Sequence, residues 1–142
     1  MISGFFGDNR WLSNFWPCDV AWGKTRSRSV EAAYQSAKCL RKEDRDLVAA
    51  MEPAAAKQAV KRMQQRPDWL DVRVRVMAML LRQKFAIGTE LANRLIATGV
   101  EELIEANTWG DTFWGVCRGH GQNVLGKLLM EIRSELVTAA AE

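Results

Sequence analysis

Three segments of the chain carry residue types and spacings suited to chemistry. In SVEAAYQSAKCL, Glu31 and Lys38 stand seven residues apart. On a helix that is nearly the same angular position, with two turns and about 10 Å of axial rise between them. Long side chains on that stripe can converge on one ligand. The carboxylate would give or take a proton, and the amine would hold a phosphate or act as a nucleophile. By composition alone the same spacing also describes a solvated helix face. In RWLSNFWPC, Trp11, Phe15 and Trp16 surround Ser13 and Asn14. That is either a stacking platform with a polar handle or a hydrophobic loop pinning the N-terminus to the core. The third segment, residues 107–127, holds two Trp, Asp111 as its one acid, five glycines and the only His. Glycine lets backbone approach a ligand closely, and the helix start that follows offers N–H groups to a phosphate. Its Gly119-x-Gly121 pair matches neither a P-loop nor a dinucleotide fingerprint. His120, between two glycines, reads as an exposed bystander or a secondary ligand contact.

Glu31 and Asp111 are thereby a candidate carboxylate pair for cleavage through an oxocarbenium-like state. One acid handles the leaving group's proton while an anion stabilises the cationic sugar or orients water. Trp69, Trp109 and Trp114 offer rings for stacking a base. Glycosidic chemistry with aromatic base recognition is the enzymatic reading of these residues.

The composition narrows the alternatives. With one His in 142 residues, a site built on two or more histidines is excluded, and no metal is expected. Half of the aromatic residues are Trp: six, beside five Phe and one Tyr. The net charge of +3 permits a phosphate-bearing ligand but lacks the strong basic stripe of a dedicated nucleic-acid binder. Cys18, Cys39 and Cys117 form no CxxC pair, which points to a reducing, cytoplasmic setting rather than a disulfide framework. The first residues lack a basic stretch leading into a long apolar run, and no apolar run is long enough to span a membrane.

Brief strands are expected around Ser3 to Phe6 and Asp19 to Trp22, with Trp22 in the core. Ser29 begins a helix in which Val30, Ala33, Tyr34 and Ala37 form the apolar stripe, and Glu31, Gln35 and Lys38 a polar one. Further helices are expected over Glu43 to Met51, Pro53 to Met63 and Thr89 to Ala97, the last ending near Gly99. DWLDVRVRVMAMLLRQKF alternates like a strand at Val-Arg-Val. Its apolar residues from Trp69 through Val72, Val76 and Leu80 to Phe85 nevertheless keep a helical period too long for one strand. Glu101 to Ala106 reads as a short strand. Asn123 is placed to cap a final helix whose apolar face is Leu125, Leu128, Leu129, Ile132 and Leu136. The expected fold class is mainly α: a single compact helical domain over residues 1–142 with a minor short-strand β element.

WLSNFWPC, SVEAAYQSAK and WGDTFWGVCRGHGQNVLGKLLMEIR, in that order and spacing, resemble the NADAR domain, also called the YbiA-like family. The resemblance covers most of the chain. It implies a mainly α fold that hydrolyses N-glycosidic bonds of ribose phosphates, with no cofactor and no metal. It implies Glu31, Lys38 and Asp111 as catalytic residues. Asn14, Phe15, Tyr34, Gln35, Trp69, Trp114, Gly115, Gly119, Gly121 and Asn123 are implied as substrate-binding residues. Two substrate classes come with the family: ADP-ribose on the exocyclic amine of guanine, and phosphorylated ribosylaminopyrimidine intermediates of riboflavin synthesis. Removal of ADP-ribose from guanine in DNA leads, with a cognate ADP-ribosyltransferase toxin as an indirect partner and no membrane. A riboflavin intermediate is the runner-up. A non-catalytic ADP-ribose-binding module is a third reading, against which stands the presence of Glu31, Lys38 and Asp111 together. The chain departs from the family pattern beside the acid. Ala32 stands where His is usual, and Ser27-Arg28, with Arg26 adjacent, stands where an aromatic–Pro pair is common. Those departures bear on substrate recognition and leave the acids and the lysine in place.

Overall fold

The computed structural model describes residues 1–142, and the chain is mainly α-helical, as expected. It divides into two compact units, one formed by Asn14–Lys84 and the other by Met1–Ser13 with Phe85–Glu142.

The first unit opens with an antiparallel hairpin, β1 (Pro17–Trp22) and β2 (Thr25–Ser29). Trp22 pairs with Thr25, so the turn is the two residues Gly23 and Lys24. Gly23 has φ +59°, a value that costs glycine nothing and suits the first central position of a tight hairpin turn. The hairpin leads directly into α1 (Val30–Lys38), whose first turn is capped by the Ser29 hydroxyl accepting from the Ala32 amide at 3.0 Å. Two shorter helices follow, α2 (Lys42–Ala49) and α3 (Pro53–Ala59), the latter continued by a 3₁₀ turn at Val60–Arg62. The 16-residue α4 (Trp69–Lys84) closes the unit. Ala32, Cys39, Val48, Ala56 and Val60 form an apolar cluster edged by Met51 and Met63. Packed against the hairpin and all three other helices, α1 is buried on every side from Val30 to Ala37. The end of α4 is fastened to β1 by the Gln83 amide, which accepts from the Ala21 N–H at 2.7 Å and donates to its carbonyl at 2.8 Å. One side chain thus stands in for a third strand.

The second unit holds two short parallel pairs. In one, β3 (Ile2–Ser3) lies beside β4 (Leu103–Ile104); in the other, β5 (Ala106–Asn107) lies beside β6 (Val116–Cys117). Its helices are a 3₁₀ helix at Gly7–Leu12, α5 (Glu90–Ala97), capped by Thr89, and α6 (Val124–Ala141). Leu125, Leu128, Leu129, Ile132 and Leu136 are all buried, as the apolar face of the last helix requires. Buried Arg133 donates to the Thr98 hydroxyl and the Glu101 carbonyl, both at 2.8 Å, tying α6 to the chain that leaves α5. The N-terminal ammonium pairs with the Glu101 carboxylate.

Five details differ from the sequence reading; one is that the strand expected over Glu101 to Ala106 is two, Leu103–Ile104 and Ala106–Asn107, each with a different partner. The first strand is Ile2–Ser3 rather than Ser3 to Phe6, because Gly4 takes φ +89° and turns the chain away. The pairing partner TRSRS was not expected to be a strand at all; the tight turn at Gly23 imposes it. Trp22 is half-buried rather than core. Asn123 precedes α6 with φ +52° and makes no capping bond, since its side chain is used elsewhere.

Candidate active site

The polar stripe of α1 is not a solvated face. Glu31 is 8% exposed and Gln35 5%, and Lys38 at the helix end is only half-buried. Burial of an acid is costly without hydrogen bonds, and Glu31 has them: its Oε1 accepts from Gln35 Nε2 at 2.9 Å, one turn along the helix. The Glu31 amide donates to the Asn14 carbonyl at 3.0 Å, which fixes the SNF loop to the start of α1. Asn14 Nδ2 points at the Met77 sulfur, 3.5 Å away. Its Oδ1 is buried with no protein partner.

Lys38 sits against aromatic rings. Its Nζ lies 5.7 Å from the centroid of Tyr34 and 5.8 Å from that of Trp69. Those two rings meet edge-on at 4.9 Å, and both are buried. Burial lowers the Lys38 amine from its ordinary value near 10.5, and the Glu31 carboxylate partly opposes that shift. Desolvation thus favours a neutral, nucleophilic amine, while the nearby anion keeps a proton within reach. Glu31, Tyr34, Gln35 and Lys38 lie on α1, Asn14 is bonded to its first turn and Trp69 lies against its last residue, all within the first unit. Phe15 is exposed beside them in sequence.

A further residue of this unit escaped the sequence reading. Lys84, the last residue of α4, is 3% exposed, and burial pushes its amine down to about 7, with Cys18 on β1 opposing the shift. In sequence it is one basic residue in the last turn of a helix, a placement normally explained by the helix dipole.

Asp111 belongs to the second unit, where it organises the glycine-rich loop. Its Oδ1 accepts from the amides of Phe113 at 3.1 Å and Trp114 at 2.9 Å. Its backbone is held by the Asn107 side chain, which accepts from the Asp111 amide and donates to the Asp111 carbonyl. Phe113 and Trp114 stack edge-on at 4.9 Å. The glycines have separate jobs. A Cβ on Gly115 would lie 2.2 Å from the Glu105 carbonyl oxygen, and one on Gly121 would lie 2.1 Å from the Gly115 carbonyl oxygen. Both are required by backbone packing. Gly119, at φ +79° in open space, forms with Arg118 at φ +52° the tight turn that presents exposed His120. Asn123 uses its whole amide to bind the Leu103 carbonyl at 2.9 Å and the Glu105 amide at 2.9 Å.

The NADAR domain model matches residues 5–137. The chain belongs to the NADAR domain family. N-glycosidase YbiA of Escherichia coli is 36% identical over 137 residues, covering 92% of this chain and 82% of its own. An N-glycosidase of Nostoc punctiforme is 34% identical, covering 88% and 84%. A riboflavin biosynthesis protein of Vibrio vulnificus is 41% identical over 129 residues, 88% of this chain. The NADAR chain spans only 35% of that relative's length. The NMR structure of E. coli YbiA superposes with a TM-score of 0.87 at 30% identity, over all of this chain and 88% of that one.

Proposed function

We propose that this NADAR chain is a hydrolase of N-glycosyl bonds that removes ADP-ribose from the exocyclic amine of guanine in DNA. The observation that carries the reading is the α1 cluster. A buried carboxylate, Glu31, and a desolvated amine, Lys38, share one helix stripe, and Lys38 lies against the Tyr34 and Trp69 rings. The relatives named as N-glycosidases support the reaction class.

A ribose attached through an exocyclic amine can open to an imine at its anomeric carbon. Neutral Lys38 then adds to that carbon, the base nitrogen leaves as the free amine, and water hydrolyses the resulting Schiff base. Glu31 carries the protons between the departing nitrogen, Lys38 and water. The alternative route is direct attack of water on the closed ring, with Glu31 protonating the leaving nitrogen.

One observation favours a second substrate. The Vibrio relative is named for riboflavin biosynthesis, which makes a phosphorylated ribosylaminopyrimidine the competing reading. The deciding experiment offers both compounds side by side and follows release of the free sugar phosphate by mass spectrometry. Faster release from the modified guanine supports the leading reading. Release only from the ribosylaminopyrimidine replaces it.

A further inference from the structure

The formal charge of the chain is unevenly divided. Of the 20 Lys and Arg, 15 lie in the unit Asn14–Lys84, against 8 of the 17 Asp and Glu, so that unit carries +7 and the other −4. The mild overall balance hides a strongly basic half. Within that half a cleft of about 780 Å³ opens beside the C-terminal end of α1. Its rim carries Lys24, Lys42, Arg45 and Arg66, with Asp68 as its only acid, and half-buried Trp22 forms one wall. Two of the cations are internally paired, Lys42 with Asp46 at 2.6 Å and Arg66 with Asp68 at 2.6 Å. Arg45 instead donates to the carbonyls of Cys39 and Leu40, with the Asp46 carboxylate of the same helix also within its field. Lys24 stands exposed at the hairpin tip and enters no ion pair.

The cleft adjoins the α1 cluster through shared backbone. Ala37 and Cys39, on either side of Lys38, line it, and the Arg66 amide donates to the Lys38 carbonyl at 3.0 Å. The chain runs from Arg66 directly to Trp69, whose ring lies against the Lys38 amine. The cleft and the α1 cluster thus share the backbone of Ala37 to Cys39 and of Arg66.

We propose that this cleft binds the single strand flanking the modified nucleotide, with a neighbouring base stacked on Trp22 and its phosphates held by Lys24 and Arg45. The assignment rests on the glycosidase reading for its biological setting, but not for its test. Aromatic stacking with cationic phosphate contacts is the general mode of sequence-tolerant single-strand binding.

The test titrates the full chain with an unmodified, fluorescently labelled single-stranded DNA about ten nucleotides long. Affinity should fall linearly with the logarithm of salt, and Lys24→Ala should flatten that slope by about 0.7. Trp22→Leu, which keeps an apolar side chain on the hairpin, should weaken binding at least about fivefold, with far-ultraviolet dichroism unchanged. Wild-type affinity and slope in both variants would overturn the assignment, as would stronger binding to anionic vesicles than to the strand. Release of ADP-ribose from a modified guanine mononucleotide is measured separately. If it fails while strand binding depends on Trp22 and Lys24, the enzymatic reading falls and the cleft stands. If it succeeds while strand binding ignores both residues, the reverse holds.

Discussion

The Gln35 side chain donates to the Glu31 carboxylate at 2.9 Å, one turn along a helix buried on every side. The bond orients an acid that would otherwise be costly to bury, and Ser29 caps the turn that carries it. Glu31→Gln keeps the size and can keep a hydrogen bond to Gln35, so the fold should survive while proton transfer is lost. A fall in kcat of about 100-fold or more is expected with little change in melting temperature. Steady-state kinetics and thermal melting check both.

Lys38 supplies a chemical signature. Borohydride added during turnover should trap a sugar adduct on the wild-type chain and none on Lys38→Ala, read by intact-protein mass spectrometry. Reproducible absence of any adduct selects direct hydrolysis. The amine is depressed below 10.5 by burial, so the covalent route should gain rate as pH rises and level off well before an ordinary lysine titrates. Weakening the desolvation with Trp69→Ala should move that limb towards higher pH.

Asp111→Asn separates the acid from its structural duty. Asparagine retains the Oδ1 that accepts from Phe113 and Trp114, so the loop and the melting temperature should hold while the anion disappears. Asp111→Ala removes both amide bonds and should lower the melting temperature, read by thermal melting beside Asp111→Asn.

Gly126→Ala reverses a general rule. Alanine usually stabilises an exposed helix interior by about 1 kcal/mol over glycine. Here the added Cβ would lie 2.1 Å from the Leu103 carbonyl oxygen. Urea unfolding should show destabilisation of about 1–3 kcal/mol.

Lys84 gives the chain a pH-dependent stability term. Its folded pKa of about 7 lies below the ordinary 10.5, so between those values the unfolded chain binds the extra proton. Stability should therefore rise with pH across that window, by up to about 1.4 kcal/mol per unit relative to Lys84→Met, and the difference should be flat below it. Urea unfolding of both proteins at several pH values reads the slope.

Much of this was legible in the residues. The period from Trp69 to Phe85 outlasts any single strand, so α4 could be read despite Val-Arg-Val. The motif order placed the family. The angular coincidence of Glu31 and Lys38 was equally visible, because a helical wheel needs only spacing. Their burial was not, since a wheel gives direction and says nothing about what covers it. TRSRS has no apolar alternation, and only the turn at Gly23 makes it a strand. The cover over Lys84 likewise comes from chain far away in sequence, as does the hold of Gln83 on Ala21. Asn123 has the residue type of a cap, yet contacts about 20 residues upstream claim its side chain.

In the proposed reaction, Glu31 on α1 drives cleavage of an N-glycosyl bond to an exocyclic amine. The most direct test incubates wild type and Glu31→Gln with ADP-ribosylated guanine and measures free ADP-ribose by mass spectrometry. The wild type should turn over and a folded Glu31→Gln should not; equal release by both proteins would rule out Glu31 as the acting acid.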